Sequence, residues 1–267
     1  MKFVLKVLRE QVNHIKLIFR LASYETKSKY QMHYLGILWQ FLNPLLQVIV
    51  FWIVFGLGIR GGAPVGDTPF FVWLVIGLIP WFFISQTIVQ GSNSVYAKVN
   101  LVSKMKFPVS ILPSVTIVGN SAGFLVMLVL LGIILLVNNI YPTIYLLQFP
   151  YYLLCMYMFV FSFTLFSSTI SIIIRDYQVL LQSMMRMLFF LTPIFWVPTN
   201  MSIIFQELLK LNPFYYIVNG FRMSLLGEGW VFQDYLYTIY FWSLTLFLIL
   251  VGSFIHVKFR DRFVDYL

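Results

Sequence analysis

Four small or polar side chains recur inside an apolar segment close to the start of the chain. Their spacings are four, three and four, which places all of them on one face of a helix. They are Gly36, Gln40, Asn43 and Gln47. Because lipid does not tolerate such a face, we expect it to turn toward protein or a water-filled path. Lining a path and packing against another helix are equally open interpretations, and a residue at a dimer seam could do both.

A second polar face lies in a later apolar segment. Gln178, Gln182 and Arg186 are spaced four apart, and Phe189 follows them. An arginine this far into a membrane span should face protein, water or a bound anion. The alternative is that Arg186 snorkels back to a nearby membrane border. The two glutamines extend the same face, which favours a functional role.

Aromatic side chains make up 19% of the chain. At membrane borders they normally act as anchors, and this interpretation covers most of them. Aromatic rings can also stack on the faces of sugars and guide a polymer without binding it tightly. The candidates for such a role are Trp39, Trp73, Trp81 and Phe195.

Residues for catalysis or metal binding are scarce. The histidines lack the paired spacing of a metal site, and the acidic residues of the loops form no obvious carboxylate pair. No Gly-x-x-x-x-Gly-Lys-Ser/Thr phosphate loop occurs in the sequence. We therefore expect no catalytic residue, no metal and no cofactor on this chain, and predict that it is not an enzyme. If ATP is used, another chain must bind it together with Mg²⁺.

The composition defines the class of protein. Of the 267 residues, 60% are hydrophobic and 10% are charged, against roughly 45–50% and about 25% in soluble domains. The chain is therefore an integral membrane protein. At about 20 apolar residues per crossing, its length suits one membrane domain of about six helices.

The position of the charges predicts the orientation. The formal net charge is +9, and Lys and Arg cluster beside the apolar segments rather than on a soluble face. Such clusters mark cytoplasmic loops that face anionic lipid, which argues against nucleic acid as a partner. Seven lie in the first thirty residues, three at 98–106 and three at 258–262. We expect a multi-pass plasma-membrane protein with both termini in the cytoplasm.

Hydrophobic periodicity predicts an all-α fold. Residues 2–22 alternate apolar and basic side chains at helical spacing, as in an amphipathic helix that lies on the membrane surface. A segment at 198–229 mixes apolar runs with polar residues, and two short re-entrant helices in the outer leaflet would suit it. The six predicted crossings are 35–59, 70–89, 111–137, 151–174, 179–197 and 235–257.

These elements predict a single membrane domain over 1–267. It comprises an interfacial region at 1–30, a six-span region at 35–257 and a cytoplasmic tail at 258–267. The re-entrant segment lies between spans five and six.

Several stretches carry a family resemblance. They are LGILWQFLNPLLQ at 35–47, FGLGIR at 55–60, GLIPWFF at 77–83, KMKFP at 104–108, RD at 175–176 and LTPIF at 191–195. Together with the basic first helix, they resemble the permeases of polysaccharide-exporting ABC transporters over the whole chain. Within that family the motifs are most similar to those of the permeases that translocate wall teichoic acid in Gram-positive bacteria. The permeases for O-antigen and capsule share the same arrangement of elements.

The resemblance implies a homodimer of this chain joined to two copies of a separate ATPase. In such exporters the loop between spans two and three carries a coupling helix, here 94–103, that sits in a groove of the ATPase. The turn at Arg175 and Asp176 matches a second contact. The residues that would contact the ATPase through the first loop are Tyr96, Lys98, Asn100, Leu101, Lys104 and Phe107. Helix capping and snorkelling are the alternative roles of these side chains taken singly.

The cargo implied by the resemblance is an anionic glycopolymer, wall teichoic acid, on an undecaprenyl diphosphate carrier. Lys27, Lys29 and Arg186 could supply cations to the diphosphate at the inner interface. Spans one and five of two protomers would line the path, and segment 198–229 would gate its outer mouth. The path residues predicted are Trp39, Gln40, Asn43, Gln47, Trp73, Gln182, Arg186 and Phe189.

Other functions stay open at the level of the sequence. A permease for lipid-linked O-antigen or capsular polysaccharide is an alternative of the same class. A membrane-embedded glycosyl or acyl transferase would need an acidic pair or a membrane histidine, and neither is visible. A channel or a scaffold would have no nucleotide-binding partner.

Overall fold

The computed structural model describes residues 2–31, 34–98, 107–174, 176–198 and 201–260, except for the side chains of Tyr30 and Ile37. Over these ranges the fold is almost entirely helical, and the one pairing of extended backbone is an isolated bridge between Val65 and Thr68. The predicted all-α membrane fold is therefore confirmed. The helices are α1 Lys2–Asn13, α2 Ile15–Tyr30, α3 Trp39–Phe51, α4 Phe70–Ser92, α5 Leu112–Val137, α6 Phe149–Ile173, α7 Tyr177–Leu191, α8 Ile203–Lys210, α9 Pro213–Leu226 and α10 Tyr235–Phe259.

The basic N-terminal segment forms two helices where the sequence predicts one. The helix breaks at His14, between α1 and α2. Both helices pack against other helices of the bundle: α1 packs on α10, and α2 packs on α5. The contact between α2 and α5 is an apolar cluster that joins Ile18 and Ala22 to Ile111 and Val115. The amphipathic pattern is thus satisfied in part by the protein itself.

An ionic contact holds the first helix against the last one. The Glu10 carboxylate accepts a hydrogen bond from Arg260 at 2.9 Å through one oxygen and from Ser110 at 2.5 Å through the other. The Phe3 and Phe254 rings, 5.4 Å apart, extend the contact. The two described ends of the chain therefore lie at the same end of the bundle.

Five helical segments are long and apolar enough to cross a membrane, counted over the described residues. They are Trp39–Ile59, Phe70–Ser92, Val109–Val137, Ile144–Ile173 and Val231–Phe259. The first of them continues α3 through a π-helical stretch, Trp52–Ile59. Helix α4 is the centre of the bundle, because 78% of its most apolar stretch is buried. The first span is peripheral, with only 11% buried.

The predicted fifth crossing, 179–197, is shorter in the structure. Helix α7 has 15 residues and is about 22 Å long, less than the roughly 20 residues of a full crossing. It ends at Leu191, and the next residue, Thr192, has an extended ψ of 129°. Thr192 precedes Pro193, and a proline disfavours helical backbone in the residue before it.

The segment between α7 and α10 holds two short helices, as predicted. In the turn before α9, the Asn212 side chain accepts a hydrogen bond from the Phe214 backbone N–H at 3.0 Å, and Pro213 occupies the first turn, where it needs no donor. Helix α9 packs against α4 and α6. At Gly220 a Cβ would lie 2.1 Å from the Tyr152 ring, so glycine allows this close approach.

Candidate functional site

Three adjoining cavities form a polar groove between α2, α3, α4 and α7. Their volumes are about 710, 520 and 380 Å³. The first shares Gln47 and Ser85 with the second, and it shares Lys29 with the third. Gln182 lines both the second and the third. We call the three cavities together the polar groove.

The first cavity brings together most of the polar stripe predicted on the first span. Trp39, Gln40, Asn43 and Gln47 all line it from α3. The amide side chains of Asn43 and Gln47 are exposed to the groove. Gly36, the remaining residue of the predicted stripe, lies in the 3₁₀ turn Gly36–Leu38 that precedes α3, and its φ is +52°. The part of the stripe on α3 therefore begins at Gln40.

Gln40 also packs against a neighbouring helix. A Cβ at Gly123 of α5 would lie 2.5 Å from Gln40 Nε2, so the glutamine fills the space that this glycine leaves. Gln40 Oε1 is buried and has no hydrogen-bond partner among the described residues. The two interpretations of the stripe therefore divide by position: Gln40 makes a helix contact, whereas Asn43 and Gln47 face open space.

The second cavity joins the two predicted faces. Gln47 of α3 meets Gln182, Arg186 and Phe189 of α7 there. Arg186 is exposed and donates a hydrogen bond from Nη2 to Ser183 Oγ at 3.2 Å. The wall is aromatic, since the Phe189 ring lies 5.2 Å from the Phe51 ring and 5.7 Å from the Trp81 ring. Amide and guanidinium donors thus lie beside ring faces.

The third cavity connects the groove to the loop after α4. Glu25 and Lys98 form an ion pair in its wall, which ties α2 to the turn Tyr96–Lys98. Lys29 stands one turn further along α2, and desolvation lowers its pKa. Lys27 is exposed and lines none of the three cavities. Of the three cations predicted for a lipid head group, Lys29 and Arg186 therefore border the groove.

Trp73 lies at the other end of the bundle from the polar groove. Gln90, near the other end of α4, lines the third cavity. At a rise of 1.5 Å per residue, Trp73 and Gln90 are about 25 Å apart along the helix. Trp73 instead borders a cavity of about 530 Å³ near the start of α4, together with Arg60 and Arg222. We call this the far cavity. The structure therefore does not bring Trp73 together with the other predicted path residues.

The residues predicted to contact an ATPase divide into three groups. Tyr96 and Asp176 are exposed, on the turn after α4 and at the start of α7. Lys98 is held by Glu25, and Phe107 packs on both apolar clusters that join the loop to α2, α5 and α6. The other predicted residues lie outside the described ranges: Asn100, Leu101, Lys104 and Arg175.

Sequence reasoning missed the wall of the groove that α4 supplies. Ser85 and Gln86 line the first cavity, and Gln90 lines the third. Asn120 of α5 reaches across to this wall and donates to Gln90 Oε1 at 3.2 Å. The signal was present in the sequence, because Gln86 and Gln90 are four residues apart within an apolar span. Among the described residues, no group of three or more His, Cys, Asp or Glu side chains could hold a metal ion.

Long apolar helices around a polar groove define a multi-pass helical membrane protein. The sequence model of the ABC-2 type transporter family matches residues 16–226. The chain belongs to that family and is a membrane component of a transporter, and membership implies a partner ATPase.

Curated relatives match nearly the full length of the chain. It is 28% identical over 224 residues to the O-antigen export system permease protein RfbA of Myxococcus xanthus, covering 82% of this chain and 84% of the relative. It is 24% identical over 252 residues to the protein of the same name from Klebsiella pneumoniae, covering 94% of this chain and 95% of the relative.

Proposed function

We propose that this chain is the permease subunit of an ATP-driven exporter that moves a lipid-linked polysaccharide to the outer side of the plasma membrane. The observation that carries the proposal is the polar groove, where Asn43, Gln47 and Gln182 lie beside the rings of Trp39 and Phe189. Amides form hydrogen bonds with sugar hydroxyls, and aromatic faces pack on sugar rings. The names of the two relatives support a polysaccharide as the cargo.

A second copy of the chain would close the transport path. The first span carries the polar stripe, yet most of its surface is exposed on a single chain. Exposed apolar side chains flank the stripe, among them Leu46, Ile49 and Val50. A homodimer that brings two such spans together would cover this surface and enclose the groove. Two protomers would bind two copies of the ATPase.

The loop side of the bundle is the proposed ATPase contact. Tyr96 and Asp176 are exposed there, and the predicted coupling helix, 94–103, contains Tyr96 and Leu101. The sequence has no phosphate loop of its own, so ATP and Mg²⁺ would bind to the partner, and this chain would bind no cofactor. The basic clusters support a cytoplasmic location for this side and for both termini by the positive-inside rule.

The lipid end of the cargo would enter near α2. Lys29 and Arg186 border the groove, and cations there would attract the diphosphate of a carrier lipid. The relatives favour an O-antigen type of polysaccharide. The motifs at 35–47 and 104–108 resemble those of teichoic acid permeases, which makes an anionic polyol-phosphate polymer the second candidate.

The proposal is tested by transport in vesicles that contain the purified chain and its ATPase. Each vesicle preparation is loaded with one lipid-linked polymer, either a neutral glycan or a polyol-phosphate chain. ATP-dependent movement of either polymer supports the export function, and the preferred polymer identifies the cargo. Movement of neither polymer, with ATP hydrolysis intact, would reject it. Formation of a new glycosidic or ester bond by the chain without ATPase would favour a transferase instead.

A further inference from the structure

The far cavity has a positive lining at the end of the bundle opposite to the polar groove. Arg60, at the end of the first span, and Arg222 of α9 both border it. One carboxylate among the lining residues, that of Glu228, opposes them. The net charge of these three side chains is therefore +1. The rest of the wall includes amide and aromatic side chains: Trp73, Gln206, Tyr215 and Asn219.

Arg222 is a buried cation with no carboxylate at ion-pair distance among the described residues. Its exposure is 2%, yet it belongs to none of the ion pairs between described residues. Its Nη1 donates to the Pro193 carbonyl at 2.6 Å, and its Nη2 donates to the Ile194 carbonyl at 2.9 Å. Its Nε is buried and has no hydrogen-bond partner in the described part of the chain. Carbonyl oxygens supply only partial charge, so a full positive charge is buried here at considerable cost.

The surroundings of Arg222 hold its guanidinium plane in place. The guanidinium carbon lies 3.4 Å from the centroid of a Trp73 ring, and this cation–π contact fixes the plane together with the two hydrogen bonds to the backbone. A Cβ at Gly77 would lie 2.7 Å from Arg222 Nη2. Glycine at this position therefore leaves the space that the guanidinium occupies.

Arg60 is the second cation and lies in the wall formed by the loop. Its Nη2 donates to the Pro64 carbonyl at 3.3 Å, and its guanidinium carbon is 5.0 Å from the centroid of the Phe70 ring. It belongs to none of the ion pairs between described residues. The Glu228 carboxylate is exposed, so solvent screens its charge. It is therefore a weak counter-charge for the two guanidinium groups.

We propose that the far cavity binds a phosphate-bearing anion. Guanidinium groups match phosphate oxygens in geometry and remain charged at all physiological pH values. An anion between Arg60 and Arg222 would compensate the buried charge, and Gln206 and Asn219 could donate further hydrogen bonds. The phosphate could belong to a lipid head group or to a soluble phosphate compound. The inference does not rest on the proposed function, because such binding needs neither ATPase nor polymer.

The test measures binding to the purified full-length chain in a neutral detergent. Inorganic pyrophosphate is titrated by calorimetry, and lipid retention is measured by native mass spectrometry with phosphatidylglycerol and phosphatidylcholine. We expect Arg60→Gln and Arg222→Lys each to weaken binding by about 10-fold, which corresponds to about 1.4 kcal/mol. Lys210→Gln is the matched control. It removes one positive charge that lies in ion pairs with Glu207 and Asp234, outside the cavity lining.

A variant with a higher affinity for pyrophosphate distinguishes a binding site from a purely structural role of Arg222. Glu228→Gln removes the opposing charge, and we expect it to tighten pyrophosphate binding several-fold. If Arg222 served only to hold the backbone at Pro193 and Ile194, this variant would change nothing. Arg60→Gln and Glu228→Gln keep the test decisive even if Arg222→Lys does not fold, because Glu228 is exposed and Arg60 is half-buried.

Retention of phosphatidylglycerol over phosphatidylcholine, with displacement by pyrophosphate, would identify a lipid head group as the source. Pyrophosphate binding without lipid retention would identify a soluble phosphate compound. Both results support the site. Absence of binding with both probes would overturn the proposal, as would equal losses in Lys210→Gln and Arg60→Gln or an unchanged affinity in Glu228→Gln.

Discussion

The Gln178 side chain accepts a hydrogen bond from Ser92 Oγ at 2.6 Å. The amide nitrogen of the same side chain, Nε2, donates a hydrogen bond to the Val89 carbonyl at 2.9 Å. The first turn of α7 is therefore fastened to the last turn of α4. Both of the proposed ATPase contact regions adjoin these turns, so the Gln178 hydrogen bonds connect the two regions.

Replacing Gln178 with leucine should destabilise the protein. The change removes two hydrogen bonds, those of Gln178 with Ser92 Oγ and with the Val89 carbonyl, each worth about 0.5–1.5 kcal/mol. Ser92 Oγ is not left unsatisfied, because it also donates to the Val89 carbonyl at 2.8 Å. Thermal unfolding in detergent measures the effect. Gln182→Leu is the matched control, since Gln182 is exposed in the groove and should leave the melting temperature nearly unchanged. Equal losses in the two variants would contradict the role of the Gln178 bonds.

Two glycines should respond in opposite directions to alanine. Gly220→Ala places a Cβ 2.1 Å from the Tyr152 ring, and such overpacking typically costs 1–3 kcal/mol. At Gly132 of α5 a Cβ meets nothing within 4 Å. Gly132→Ala should therefore stabilise its helix by roughly 0.5–1 kcal/mol. The melting temperatures of the two variants are compared with that of the parent chain, and a drop in both would show that the space around Gly132 is filled.

Leucine at Asn43 or Gln47 should slow export and leave the complex assembled. Each change removes a hydrogen-bonding group from the groove, worth about 0.5–1.5 kcal/mol, or roughly 2- to 10-fold in transport rate. Val129→Leu is the control, since Val129 is exposed on α5 and lines none of the three cavities. Polymer movement and ATPase copurification are measured together. Unchanged transport in both amide variants would exclude these residues from the path.

A charge at Tyr96 should weaken the association with the ATPase. Tyr96 is 49% exposed on the turn after α4, so Tyr96→Asp should disturb a partner's surface rather than the fold. We expect at least a several-fold loss of copurified ATPase. Tyr141→Asp is the control, because Tyr141 is 63% exposed in the loop after α5, at the other end of that helix from the ATPase contact. If the two variants retain equal amounts of ATPase, the contact lies elsewhere.

The long crossings could be predicted because hydrophobicity and helical periodicity act locally. The prediction for the last span, 235–257, agrees with α10, Tyr235–Phe259. The fifth crossing was predicted too long, because apolar composition continues past Leu191, whereas the backbone turns at Thr192 ahead of Pro193. Proline placement was the better guide to the end of that helix.

The functional sites were only partly predictable. The stripe from Gln40 to Gln47 and the face from Gln182 to Phe189 follow from spacing along one helix, and the structure brings the two faces to one groove. The environment of Arg222 depends on Trp73, which lies far away in the sequence. No local pattern shows that a given arginine will be buried against a given ring.

The ion pair between Glu10 and Arg260 has a consequence for the order in which the helices pack during synthesis. Helix α1 is synthesised long before α10, the helix on which it packs. Until α10 has been made, the part of α1 that will pack on it lacks this partner, and the membrane surface is the natural place for its amphipathic face. The contact between Glu10 and Arg260 can therefore form only after α10 has been synthesised.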